Sequence, residues 1–184
     1  MRIALCICPQ WSVQTPSFAI GSLKSHINNK DVVVEQIDLN ILSSIYTKEK
    51  NIEKFWDWGN DTPWNSETNF QTEILPYFKD LWHEYIEILS TYDIVAFTTY
   101  TSNIITTDYI ARYVKQINPK IQIWYGGPYS WYSECGGLVE KDNYREFVDI
   151  ACGSNDGERI ISDLVNKYLE DGHYENIRGI YRWD

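Results

Sequence analysis

Two stretches decide the fold: Asp93-Ile-Val-Ala-Phe-Thr-Thr-Tyr-Thr101 and Ile121-Gln-Ile-Trp-Tyr-Gly-Gly-Pro128. Each is apolar until its carboxyl end. The first then turns to hydroxyls and the second to paired glycines. Between them Ile110, Tyr113, Val114 and Ile117 recur at helical spacing, and Asn118-Pro119 stops the run. This is a strand–helix–strand unit. In a parallel sheet the two strand ends lie on one edge, and that edge is where open α/β sheets bind ligands.

Working outward, Arg2–Cys8 and Val32–Ile37 are further apolar runs that flank a helical stripe of Ala19, Ile20, Leu23 and Ile27. Strands apolar nearly throughout suit a parallel sheet covered on both faces. Phe147–Cys152 reads as a fifth strand. A last helix follows, with Ile160, Ile161, Leu164, Val165 and Leu169 on one face, stopped at Asp171-Gly172. Ile177–Tyr181 could add a short edge strand. Residues 41–90 carry no strand signal. Ile74, Leu75, Phe78, Leu81, Trp82, Tyr85 and Leu89 predict a long amphipathic helix there, preceded by the aromatic–acidic stretch Phe55–Trp64.

The expected architecture is α/β: a doubly wound five-stranded parallel sheet of flavodoxin-like order 2-1-3-4-5, with helices on both faces. The chain reads as a single domain, 1–184, with a helical, Trp-rich insertion at about 41–90. A length of 184 residues suits one domain that buries roughly 70% of its unfolded surface. The three tryptophans Trp56, Trp58 and Trp64 either pack that insertion onto the sheet or form an exposed interaction patch. Packing is the preferred reading.

A net charge of -10 disfavours nucleic acid and anionic membrane surfaces. No apolar run approaches the roughly 20 residues a membrane helix needs. Met1-Arg-Ile-Ala-Leu5 has no signal-peptide character, so a cytoplasmic location is expected. Cys6 and Cys8 alternate along a strand at about 6.7 Å, a poor geometry for a disulfide. With Cys135 and Cys152 they read as reduced, packed thiols. No iron–sulfur or zinc spacing is present.

The ligand edge collects the chemistry. Pro9–Thr15 follows the first strand. The run Thr98, Thr99, Tyr100, Thr101 and Ser102 offers hydroxyls that donate and accept, although Thr101 or Ser102 alone is as readily a helix cap. Gly126, Gly127 and Pro128 form either an ordinary tight turn or a floor on which a planar ligand rests close to the backbone. Gly153-Ser-Asn-Asp156-Gly157-Glu158 leads into a helix whose free N–H groups could receive an anion or amide oxygen. Neither G-x-G-x-x-G nor G-x-x-x-x-G-K-[ST] occurs here. His26 and His173 fall at distal helix ends and His83 in the insertion. Asp38 and Glu158 are unpaired, so no catalytic constellation emerges. A flavin or nucleotide module of flavodoxin type is the weaker reading, because Ser12 and Thr15 are the sole hydroxyls after the first strand.

Taken in order, Cys8-Pro9, Pro16–Leu23, Ile37–Asn40, Asp93–Thr98, Tyr125–Pro128, Asp149–Gly153, Asp156–Glu158 and Arg178–Arg182 resemble the cobalamin-binding-type domain at the N-terminus of many radical S-adenosylmethionine enzymes. The resemblance covers nearly the whole chain outside 41–90. It implies cobalamin across the carboxyl edge, with the corrin over the first-strand loop and the Gly126 turn. The dimethylbenzimidazole tail would lie beside Thr98–Ser102 and Gly153–Glu158. The cofactor-binding residues implied are Pro9, Trp11, Thr98 to Ser102, Gly126 to Pro128, Gly153, Asp156, Gly157 and Glu158. The D-x-H-x-x-G motif is absent, so no histidine lower ligand to cobalt is expected. The C-x-x-x-C-x-x-C motif is absent too. The resemblance therefore places any iron–sulfur cluster and reaction in a C-terminal radical domain or partner protein. The other expectation is a cobalamin-fold domain that has lost the cofactor and serves in protein interaction or regulation.

Overall fold

A computed structural model describes residues 1–53, 56, 63–131 and 142–182, without the side chain of Trp131. Its sheet has six strands in the order β2-β1-β3-β4-β5-β6. They are β1 (Arg2–Ile7), β2 (Val33–Asp38), β3 (Ile94–Thr98), β4 (Gln122–Gly126), β5 (Ile150–Cys152) and β6 (Ile180–Tyr181). The first five run parallel in the expected order, giving a Rossmann-like α/β fold. The short edge strand expected within Ile177–Tyr181 joins them as β6. β6 is antiparallel, pairing Cys152 with Ile180 and Ala151 with Tyr181, which makes the sheet mixed. Gly179 makes this return possible, with φ of +86° and a carbonyl that accepts from Gly153 N at 2.9 Å.

Alternation along the strands sorts the core into two layers. From β1, Ile3, Leu5 and Ile7 face the layer built with α1 (Phe18–His26) and α7 (Gly157–Asp171). Ala4 and Cys6, with Cys8 beyond the strand, face the layer of α4 (Leu75–Leu89) and α5 (Ile104–Ile117). Helices therefore cover both faces.

After β2 the chain turns at once into α2 (Leu39–Lys50), which the sequence reading did not single out. Asp38 starts it by accepting from Ile41 N at 2.9 Å, and its other oxygen takes Ser17 N at 3.3 Å. A short turn, α3 (Glu67–Asn69), and a π-helical stretch, Phe70–Ile74, lead into α4. Trp64 is buried and meets half-buried Trp56 edge-on at 5.4 Å, with Phe78 and Trp82 beside them. For these two tryptophans packing is the outcome. Trp58 lies outside the described residues. α6 (Pro128–Trp131) follows β4, and a 3-10 turn, Asp142–Glu146, precedes β5. The fifth strand begins at Ile150 rather than Phe147, because Phe147 and Val148 sit in the core before it.

Candidate functional site

The registers Ile7↔Thr98 and Thr98↔Gly126 put three strand ends in one row, and Cys152 ends β5 beside them. Below this row, between the sheet and the helices α1 and α7, is a cavity of about 270 Å³. Its walls are mainly apolar: Ala96, Trp124 and Ile150 from the strands, and Ile160, Ile161 and Leu164 from α7. Leu23 of α1 contributes as well. Thr98, Gly126, Gly127, Ser154, Asn155 and Glu158 lie toward the carboxyl edge, where the cavity opens.

Of the residues expected at a site, Thr98, Tyr100, Gly126, Gly127, Pro128, Gly157 and Glu158 line this one space. Thr98 is 6% exposed, and its hydroxyl makes no hydrogen bond among the described residues. Gly126 is open on the cavity side. A Cβ added there would meet nothing nearer than Cys152 Cβ at 3.7 Å. Gly127 is required by the turn itself, with φ of +99° and the position of a Cβ only 2.6 Å from Thr99 O. Glu158 accepts from Ser22 Oγ at 2.9 Å and so joins α7 to α1 beside the opening.

The remaining expected residues fall elsewhere. Pro9 is buried in the first-strand loop. Trp11 stacks on Tyr100 with centroids 4.2 Å apart, so the two rings roof the edge together. Burial pushes the Tyr100 phenol above its ordinary pKa. Thr99 points away from the cavity and donates to Gly126 O at 2.8 Å, with Ser130 Oγ at 3.0 Å. Thr101 is exposed. Ser102 Oγ donates to Gln10 O at 2.8 Å. The Gly153 amide serves β6, and the Tyr181 ring occupies the space its side chain would need. Asp156 pairs with Arg159 Nε.

The crevice between β1 and β3, the switch point of this strand order, is filled by the protein itself. Buried Asn103 donates to Cys8 O at 3.3 Å and Thr98 O at 3.1 Å and accepts from Tyr100 N at 2.8 Å. Asn40 accepts from Trp11 N at 2.8 Å and donates to Ser12 O at 3.1 Å. The open volume thus lies under β3, β4 and β5. Sequence reasoning missed its deep walls because Ala96, Trp124 and Ile150 look like core. The alternation that places Thr98 on the cavity side also places them there.

The arrangement is suited to holding a ligand. His26 Nδ1 lies 2.9 Å from Ser22 O at the far end of α1, and His83 Nε2 lies 3.0 Å from the Tyr109 hydroxyl on the opposite face. Burial pushes the Cys152 thiol upward, toward its unreactive protonated form. Cys6, Cys8 and Cys152 are free and buried, while Cys135 lies outside the described residues. Among the described residues no cluster of three potential metal ligands occurs. No helix there is long and apolar enough to cross a membrane.

Fold and cavity define a Rossmann-like α/β chain with a ligand-sized pocket at the carboxyl edge of its sheet. No protein-family profile matches the sequence, and no curated protein matches it. Among solved structures the chain is similar to the radical S-adenosylmethionine methyltransferase TsrM from Kitasatospora setae, determined with its tryptophan substrate and a SAM analogue. The TM-score is 0.58 at 14% identity, over 99% of this chain and 28% of that one. At this identity the likeness is one of fold.

Proposed function

We propose that this chain is a cobalamin-binding module, the N-terminal domain of a cobalamin-dependent radical S-adenosylmethionine enzyme, with residues 41–90 as a helical insertion in one domain. The observation that carries the reading is the 270 Å³ cavity, which opens at the edge where the sequence resemblance would put the cofactor. The fold likeness to a radical S-adenosylmethionine methyltransferase supports it.

The residues suit the group. Gly126 leaves room where a Cβ would project, and Thr98, itself 6% exposed, lines the same space. In this reading Thr98, Gly126, Gly127 and Glu158 hold the tail, while Trp11, Tyr100 and Pro128 support the corrin at the edge. The cofactor, when bound, would supply organocobalt chemistry that no side chain here offers. The chain's own part is to bind it, orient it and keep water from the buried base. The reaction itself belongs to a radical domain or partner protein.

The test is to mix the folded chain with hydroxocobalamin, remove free ligand by gel filtration and record the corrin absorption. Uptake near one equivalent is expected, and it should fall sharply in Gly126→Val at unchanged circular dichroism. A folded wild-type chain that retains no corrinoid would overturn the reading.

One observation favours the second reading, a cobalamin-fold domain that now makes protein contacts. Phe18, at the start of α1, is 86% exposed and Val13 of the preceding loop is 38% exposed. On that reading Phe18→Glu abolishes association seen by light scattering, and corrinoid uptake is absent from the start.

A further inference from the structure

The outer face of α4 carries two stripes laid side by side. Tyr77, Leu81, Tyr85 and Ile88 fall at four- and three-residue steps, so they run along one side of the helix. Asp80, Glu84 and Glu87 repeat in the same way and form the neighbouring stripe, farther from the core. Tyr77 and Ile88 are 43% and 39% exposed, while Leu81 and Tyr85 are half-buried against the core. His83 turns the other way, onto Tyr109 and Tyr113 of α5. The apolar stripe therefore lies on the side of α4 away from α5.

α2 borders that side. Ser43 accepts from the Trp82 indole N–H at 3.0 Å, and the Tyr46 ring meets Phe78 with centroids 6.1 Å apart. Leu42 and Tyr46 are half-buried on the same cluster, and Ile45 on the outer side of α2 is 48% exposed. From Tyr77 to Ile88 the strip is roughly 16 Å long, which about three turns of a second helix would cover.

The acidic stripe has no counter-charge of its own. Asp80, Glu84 and Glu87 are exposed, and none of them is in an ion pair among the described residues. The last turn of α4 holds no basic side chain. Glu87 there opposes the helix dipole, which favours a cation at that end. Lys79 shares the α5 side with His83. Lys50 lies over the Tyr46 ring, at the end of α2 that runs toward the start of α4, away from these acids.

Charge separates the occupants such a face could take. Nucleic acid and anionic lipid are repelled by the carboxylates. A second copy docked about a two-fold axis would set the same three acids near their own counterparts. A basic amphipathic helix satisfies both stripes, with its apolar residues on the strip and its lysines or arginines on the acids.

We infer that the α2–α4 face is a docking surface for a basic amphipathic helix of a partner protein. The inference is independent of the corrinoid reading, because the cavity belongs to the other layer of the core.

The experiment titrates the full chain into three labelled synthetic peptides and follows fluorescence anisotropy. The first is a leucine–lysine helix about 18 residues long, with its leucines at helical spacing. The second keeps those leucines and replaces lysine by glutamate. The third scrambles the first, so that no apolar face remains. The first peptide alone should bind, and more weakly as salt is raised. Glu84→Lys with Glu87→Lys should weaken it about tenfold or more. Tyr77→Ser with Ile88→Ser should weaken it several-fold. Glu170→Lys with Glu175→Lys, remote from this face, should leave it unchanged, and thermal melts show that each variant folds. Absence of binding by the first peptide overturns the inference. So does equal binding of the scrambled peptide, or an equal loss in the remote variant, since either reduces the effect to net charge. Self-association of the chain that Tyr77→Ser with Ile88→Ser abolishes would make a second copy the occupant, and overturns it as well.

Discussion

Thr98 and Thr99 are neighbours that present their hydroxyls to opposite sides of the sheet, and their chemistry separates accordingly. Thr99 is fully buried and bonds Gly126 O and Ser130 Oγ, which ties the end of β3 to the Gly126-Gly127 turn and to α6. Thr99→Val removes both bonds and leaves Ser130 Oγ without this partner, so it should cost about 1–3 kcal/mol in chemical denaturation. Thr98→Val exchanges a hydroxyl that has no partner among the described residues for a methyl of the same shape. Its stability should stay within about 0.5 kcal/mol of wild type. Equal losses in the two variants would show that the Thr98 hydroxyl has a structural partner, and would remove the reason to treat it as a ligand contact. The sequence marked five hydroxyl residues in a row as one feature. Alternation along β3 decides which of them faces the cavity, and that can be read before the structure. The partners of Thr99 and Ser102 cannot, because Ser130 and Gln10 come from other loops.

At the scale of elements, the helices and the five parallel strands were legible because their apolar residues repeat at spacings that match their burial. The stripe at Ile160, Ile161, Leu164 and Val165 is the buried face of α7. α2 escaped the reading and β6 was legible only as a short edge strand, each for a physical reason. α2 begins immediately after β2 and, beside Leu39, Leu42 and Tyr46, buries Asn40, Ser43, Ser44 and Thr47, so polar residues dilute its apolar stripe. β6 is two residues long and depends on glycines far apart in sequence. Gly153 is one of them, since a methyl group there would collide with the Tyr181 ring. Gly153→Ala should therefore displace β6 while β5 keeps its pairing with β4. Hydrogen exchange at the Gly153 amide, which donates to Gly179 O, should accelerate markedly. The double variant Gly153→Ala with Tyr181→Ala should recover much of that protection, because the obstructing ring is gone. If the double variant exchanges as fast as the single one, the Tyr181 contact is not what makes glycine necessary.

Over the whole molecule, the layer opposite the cavity holds a group of phenols that governs behaviour in alkali. Asp108 of α5 accepts from the Tyr125 hydroxyl at 3.0 Å and from the Tyr144 hydroxyl at 2.7 Å, joining β4 and the 3-10 turn to one helix. Burial first, and then the Asp108 charge, hold both phenols well above their ordinary pKa. Burial does the same for Tyr174 in the other layer, and pushes Tyr109 up to about 12. In the unfolded chain all four ionise near pH 10. Above that pH the unfolded state has lost protons that the folded state still holds, so stability falls as pH rises. These groups therefore stabilise the fold fully below about pH 10, and their contribution declines above it, at up to about 1.4 kcal/mol per pH unit for each of the buried phenols Tyr125, Tyr144 and Tyr174 and by less for the more exposed Tyr109, which water screens. Denaturation midpoints measured across this range should be flat and then drop steeply. Tyr144→Phe should lower stability near neutrality, since Asp108 loses one of its donors, yet give a shallower alkaline decline. The two effects have opposite signs in the comparison with wild type, so the curves should converge as pH rises. Curves that instead run parallel would place the alkaline sensitivity outside this cluster.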